Sequence, residues 1–171
     1  MIQSLALRIA LRIKTVVPDH PASTAVLSFS IAALLNVSGV VVITMLVSVL
    51  TGREWEALTA IISFAVLRQL SGGYHLPSTD LCVLISVLGL TGISYISFSS
   101  DVTWIVTLLA AALVLVFAPT DIKNQSRISE KYYPLLKYLS LLIVLSNLAI
   151  SSSVVAVAFL IQSISLIHGR R

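Results

Sequence analysis

Apolar positions dominate this chain and come in long runs, so the few polar interruptions mark where it turns. The first segment, residues 1–17, has a different pattern. There Ile2, Leu5, Ile9, Ile13 and Val16 recur at spacings of three and four while Arg8 and Arg12 fall on another face, which predicts an amphipathic helix lying in a membrane interface. Pro18-Asp19-His20-Pro21 ends it, because each proline fixes φ and removes a donor. Residues 22–52 carry no charge and exceed the roughly 20 residues that cross a bilayer's hydrocarbon, so they predict one long or tilted span. Further apolar runs cover 55–70, 81–98 and 102–118, and only Ser99-Ser100-Asp101 separates the last two, which implies an antiparallel hairpin. From 138 to 167 the chain is again charge-free, interrupted at Asn147 and at Ser151-Ser152-Ser153, and is read as spans at 135–150 and 154–167. The prediction is an all-α, polytopic membrane bundle of about six transmembrane helices, forming a single integral membrane domain over residues 1–171.

Composition agrees with this pattern. Of 171 residues, 57% are hydrophobic and 11% charged, whereas a soluble domain is about one quarter charged. The net charge of +4 is distributed over the ends of apolar runs, so it bears on orientation and lipid headgroups and implies no nucleic-acid partner. With six spans, Arg8, Arg12, Lys14, the 68–80 and 119–137 connections, Arg170 and Arg171 share one side, and the other keeps only Arg53. The excess of Lys and Arg marks the cytoplasmic side, so both termini and the 68–80 connection are expected to face the cytoplasm. A single cysteine excludes an internal disulfide, and with one nearby histidine it does not complete a zinc site, so no metal or cofactor is implied.

The chemistry-bearing side chains gather in residues 68–82, which hold Arg68, Gly72, Gly73, His75, Pro77 and Cys82. Ser78 and Thr79 after Pro77 are suited to starting a helix, which would put Cys82 in its first turn, where the helix dipole favours a thiolate. His75 lies seven residues before Cys82, and Gly72-Gly73 allows the intervening turn to fold back. Imidazole can take a thiol proton and return one to a leaving amine, so the pair is a candidate nucleophile and general base. Arg68 is suited to binding a carboxylate or supporting an oxyanion. A lone cysteine among aliphatic side chains is more often a packing residue, and a glycine pair more often only a turn. A transport reading also fits the bare pattern: a small permease or peptide exporter without proteolytic activity, with Asn36 and Asn147 lining its path.

The spacing of Arg68, Gly72, Gly73, His75 and Cys82 resembles that of the accessory gene regulator B (AgrB) family of membrane endopeptidases in bacterial peptide quorum sensing. Phe117-Ala118-Pro119-Thr120-Asp121, followed by Lys123 and Asn124, is similar to that family's Ala-Pro-x-Asp segment. The resemblance implies a cysteine endopeptidase in the bacterial cell membrane, acting as a homodimer on an AgrD-type precursor peptide. In it His75 and Cys82 are catalytic, and a Cys or Ser of the precursor captures the acyl-enzyme as a thiolactone or lactone. Arg68, Lys123, Arg127 and Lys131 are expected to attract an acidic part of the precursor, with Gly72 and Gly73 in support.

Overall fold

A computed structural model describes residues 1–73, 78–120 and 129–168, and every regular element in them is helical. Helix α1 spans Ile2–Val16, α2 Thr24–Thr51, α3 Glu54–Ser71, α4 Thr79–Ile93 and α5 Ser100–Phe117. A single 3₁₀ turn at Glu130–Tyr132 then leads into α6, Tyr133–Ile150, and α7, Ser153–His168.

The boundaries follow from local chemistry. Ser23 caps α2 by accepting the Val26 N–H at 3.3 Å, and Gly52 closes the helix in the left-handed region at φ 65°. At about 1.5 Å per residue the 28 residues of α2 extend about 42 Å, enough to cross about 30 Å of hydrocarbon and project beyond it. Helices α2 and α5, and α6 together with its 3₁₀ turn, are long and apolar enough to cross a membrane; α4 and α7 are shorter apolar helices. The last apolar stretch breaks because Asn147, fully buried on α6, folds the backbone over. Its Oδ1 accepts the Ser152 N–H at 3.2 Å, and its Nδ2 donates to Ser152 O at 3.1 Å and to Thr107 Oγ1 on α5 at 2.9 Å. These bonds make Asn147 a structural tie between α5, α6 and α7, where the transport reading needs it lining a path.

Helix α7 is the centre of the bundle. One core joins its Val155, Phe159 and Leu166 to Leu67 of α3, Ala110 and Val114 of α5, and Val144 of α6. A second joins its Val154 and Ala158 to Ala60 of α3 and to Leu90 and Ile93 of α4. Alanines at many of these contacts let helix backbones approach closely, which is how helices associate where lipid tails are as apolar as leucine. Larger apolar side chains such as Phe29, Leu50 and Leu142 point outward, as a bundle in lipid requires. Helix α1 packs along α2 through Ala6 and Ala10, whereas Leu5 and Val16 of the sequence's apolar face, and Leu7 and Leu11 outside it, remain exposed.

Candidate functional site

Four segments meet at one end of the bundle: the end of α3, the start of α4, the residues after α5 and the last half of α7. Helix α3 ends at Ser71 because Gly72 takes φ 73° and ψ −145°, and Gly73 follows at φ 134°, conformations that a side chain strongly disfavours. The turn is then pinned to the residues after α5. Thr120 N–H donates to Ser71 O at 2.9 Å and Gly73 N–H to Thr120 O at 3.1 Å, forming an isolated parallel bridge between Gly72 and Thr120. The Thr120 hydroxyl donates to Phe117 O, and the Ala118-Pro119 peptide between them is cis.

The other side of the turn rests on α7. Gln162, fully buried, donates from Nε2 to Gly72 O at 2.7 Å and to Ser71 Oγ at 3.2 Å. Its Oε1 accepts from Arg68 Nη1 and lies near Ser165 Oγ, both at 3.3 Å. Gly73 is packed so closely that an added Cβ would lie 2.7 Å from Ser165 Oγ and 3.1 Å from Gln162 Nε2. Arg68 is half-buried, its guanidinium carbon 5.9 Å from the centre of the Phe64 ring.

Cys82 stands across from this assembly. Ser78 caps α4, its hydroxyl accepting the Leu81 N–H at 3.4 Å, and Cys82 N–H makes a turn of helix with Ser78 O at 3.0 Å. The thiol is free and half-buried, and the Arg68 charge is within electrostatic reach of it. Asp80, two residues earlier, faces away toward α1: its Oδ1 accepts the Ile2 N–H at 3.0 Å and its Oδ2 pairs with the Met1 ammonium at 2.6 Å. That ammonium first, and the Ile2 N–H second, hold the Asp80 carboxyl below the usual carboxylate range.

The structure thus brings Arg68, Gly72, Gly73 and Cys82 to one end of the bundle. His75, Lys123 and Arg127 lie outside the described residues; Lys131 is exposed on the 3₁₀ turn, 4.9 Å from the centre of the Tyr132 ring. Among the described residues no three His, Cys, Asp or Glu side chains come together as a metal site. Sequence reasoning missed Gln162 and Ser165. The available signal was the amide itself, a group costly to bury in lipid that interrupts the last apolar run as Asn147 does.

The sequence profile described as Accessory gene regulator B matches residues 6–167. A relative from Halalkalibacterium halodurans, with the provisional description AgrB-like protein, is 31% identical over 115 residues, which cover 67% of this chain. The chain spans 58% of that relative's length. No solved structure matches the chain. The profile runs from within α1 almost to the end of α7 and encloses the Arg68, Gly72, Gly73 and Cys82 cluster, so the chain belongs to the accessory gene regulator B family.

Proposed function

We propose that this protein is a membrane-embedded cysteine endopeptidase that processes an AgrD-type quorum-sensing precursor peptide at the cytoplasmic face of a bacterial membrane. The observation that carries the proposal is the free, half-buried Cys82 thiol at the start of α4, with the Arg68 charge in reach and the Gly72-Gly73 turn leading directly to His75. In the proposed reaction His75 takes the Cys82 proton as the sulfur attacks the scissile carbonyl. The C–N bond then breaks, the imidazolium gives its proton to the leaving amine, and the acyl group stays on sulfur as a thioester. A Cys or Ser side chain of the precursor attacks that thioester, releases a thiolactone or lactone, and the proton returns to Cys82. Capture within one chain gains from proximity, and a site at the membrane edge limits competing water. Arg68 supports the developing oxyanion or the acidic tail, and Lys123 and Arg127 draw that tail in from a distance. Helix α1 lies in the headgroup layer with Arg8 and Arg12 toward lipid phosphates, and the active form is a homodimer.

Cys82→Ala in full-length protein, reconstituted with a precursor that has an internal Cys and an acidic tail, tests this directly. The expected result is uncleaved precursor with the bundle intact, and cleavage at the wild-type rate removes Cys82 as nucleophile. Cys82→Ser is expected to be nearly as inactive, because a hydroxyl ionises far less than a thiol.

A further inference from the structure

Gln162 is the tenth residue of a helix whose other buried positions are Val154, Val155, Ala156, Ala158, Phe159 and Leu166, with the small Ser163 bonded back to Phe159 O of its own helix. Packing alone would be served by leucine or methionine there. An amide in this place must have every polar atom occupied, since an unpaired one costs several kcal/mol in a medium that offers no hydrogen bonds. Its partners meet that demand and also fix which way round it sits. A guanidinium has no acceptor, so Arg68 must face Oε1; a carbonyl has no donor, so Gly72 O must face Nε2. One rigid amide therefore ties the Arg68 head group to the backbone of the turn that leads to His75. Both are anchored to the most enclosed helix of the bundle, and Thr120 closes the turn from the opposite side through two backbone bonds.

We infer that Gln162 is a positioning residue for the cleavage reaction, holding Arg68 and the Gly72-Gly73 turn in register with Cys82 from a separate helix. The inference rests on the cysteine endopeptidase reading. Gln162 touches neither the peptide nor the thiol; it acts through Arg68, whose charge reaches Cys82, and through the backbone leading to His75. Displacing such groups by about 1 Å can cost up to about 100-fold in rate without loosening substrate binding.

The test uses the full chain in vesicles of phosphatidylethanolamine and phosphatidylglycerol, comparing wild type, Gln162→Met and Gln162→Glu. Methionine keeps the length and removes every hydrogen bond. Glutamate keeps the shape and a partner for Arg68 but turns an oxygen toward Gly72 O, so it carries the test if the methionine variant does not insert. Two readouts are taken: kcat and KM with an acidic-tailed precursor peptide, and the rate of iodoacetamide alkylation at Cys82, the sole cysteine. The inference expects a lower melting temperature from the unpaired Gly72 O and, at a temperature where each variant is still folded, kcat lower by about tenfold to 100-fold with KM within about twofold, and slower alkylation. Wild-type kcat and alkylation in either folded variant overturn it, as does a loss of activity that merely follows lost thermal stability. Cleavage surviving in Cys82→Ala would instead defeat the endopeptidase reading, while the alkylation comparison would still judge whether Gln162 governs the thiol's surroundings.

Discussion

At the scale of single residues, the glycines of this chain differ in what they are for, and the difference is measurable. Gly73 sits at φ 134° with Ser165 Oγ 2.7 Å from where a Cβ would be, so Gly73→Ala meets both backbone strain and a clash. A strained backbone of this kind costs about 1–3 kcal/mol, and any relief must come from moving Ser165 or Gln162. The expected result is a lower melting temperature together with reduced precursor cleavage. Gly89 has nothing within 4 Å of its Cβ position and lies inside α4, so Gly89→Ala, measured beside it, is expected to be neutral or slightly stabilising. The special backbone at Gly72 and Gly73 was legible in the sequence, because paired glycines next to a histidine and a helix start have few other uses in an apolar protein. Gln162 was not, for its partner Gly72 O is 90 residues away and no spacing in the sequence connects them. A long-range hydrogen bond of this kind has no periodicity to read; only the cost of burying an amide hinted at it.

At the scale of elements, α4 links Cys82 to α1. Asp80 is exposed, yet its carboxylate receives the Ile2 N–H and the Met1 ammonium, so it caps α1 from another helix as a residue at the cap position would. The sequence foresaw the helix start at Ser78 and Thr79; the fold turns the Asp80 charge beside it to α1. Because the Asp80 carboxyl is held below its ordinary range, its contribution to docking α1 is fully present above about pH 4 and is lost as pH falls through its lowered value. Protection factors of the first-turn amides of α1, followed by hydrogen exchange, are expected to drop in that acid range in wild type. In Asp80→Asn they are expected to be low at neutral pH already and to vary little with acid; equal protection in the two proteins would remove the capping role. The face on which α1 packs was harder to read. Its buried residues are Ala6 and Ala10, while the larger apolar side chains stay half or fully exposed, the reverse of a helix docking onto a soluble core. In a bilayer, lipid accepts the large side chains and close backbone approach favours the small ones, so the period identifies the helix but not its contact face.

At the scale of the whole molecule, the hydrogen bonds sort the helix ends into two groups. Ile2 meets Asp80, Gly73 meets Thr120, and Gln162 meets Gly72, which puts the start of α1, the end of α3, the start of α4, the residues after α5 and the last half of α7 together. Phe98 meets Ser153, Trp104 meets Ser151, and Arg53 lies 5.5 Å from the Tyr95 ring, which gathers the opposite ends. Arg68 lies at the end of α3 in the first group, Arg8, Arg12 and Lys14 on α1, which starts there, and Lys131 and Lys137 at or before the start of α6, whose far end is in the second group. Arg53, Glu54, Glu56 and Asp101 lie at helix ends of the second group. If these helices span a membrane, the rule that Lys and Arg gather on the cytoplasmic side predicts that the Cys82 end faces the cytoplasm, where the proposed precursor would first appear. In a Cys82→Ala background, Ser99→Cys and Ser129→Cys place one thiol at an exposed position in each group. A membrane-impermeant maleimide added to intact cells is expected to label Ser99→Cys and to reach Ser129→Cys only after the membrane is opened. Labelling of Ser129→Cys in intact cells would turn the site outward and separate it from a peptide made inside. Equal labelling of both would deny that α5 crosses the membrane, because Ser99 and Ser129 flank that helix in the chain.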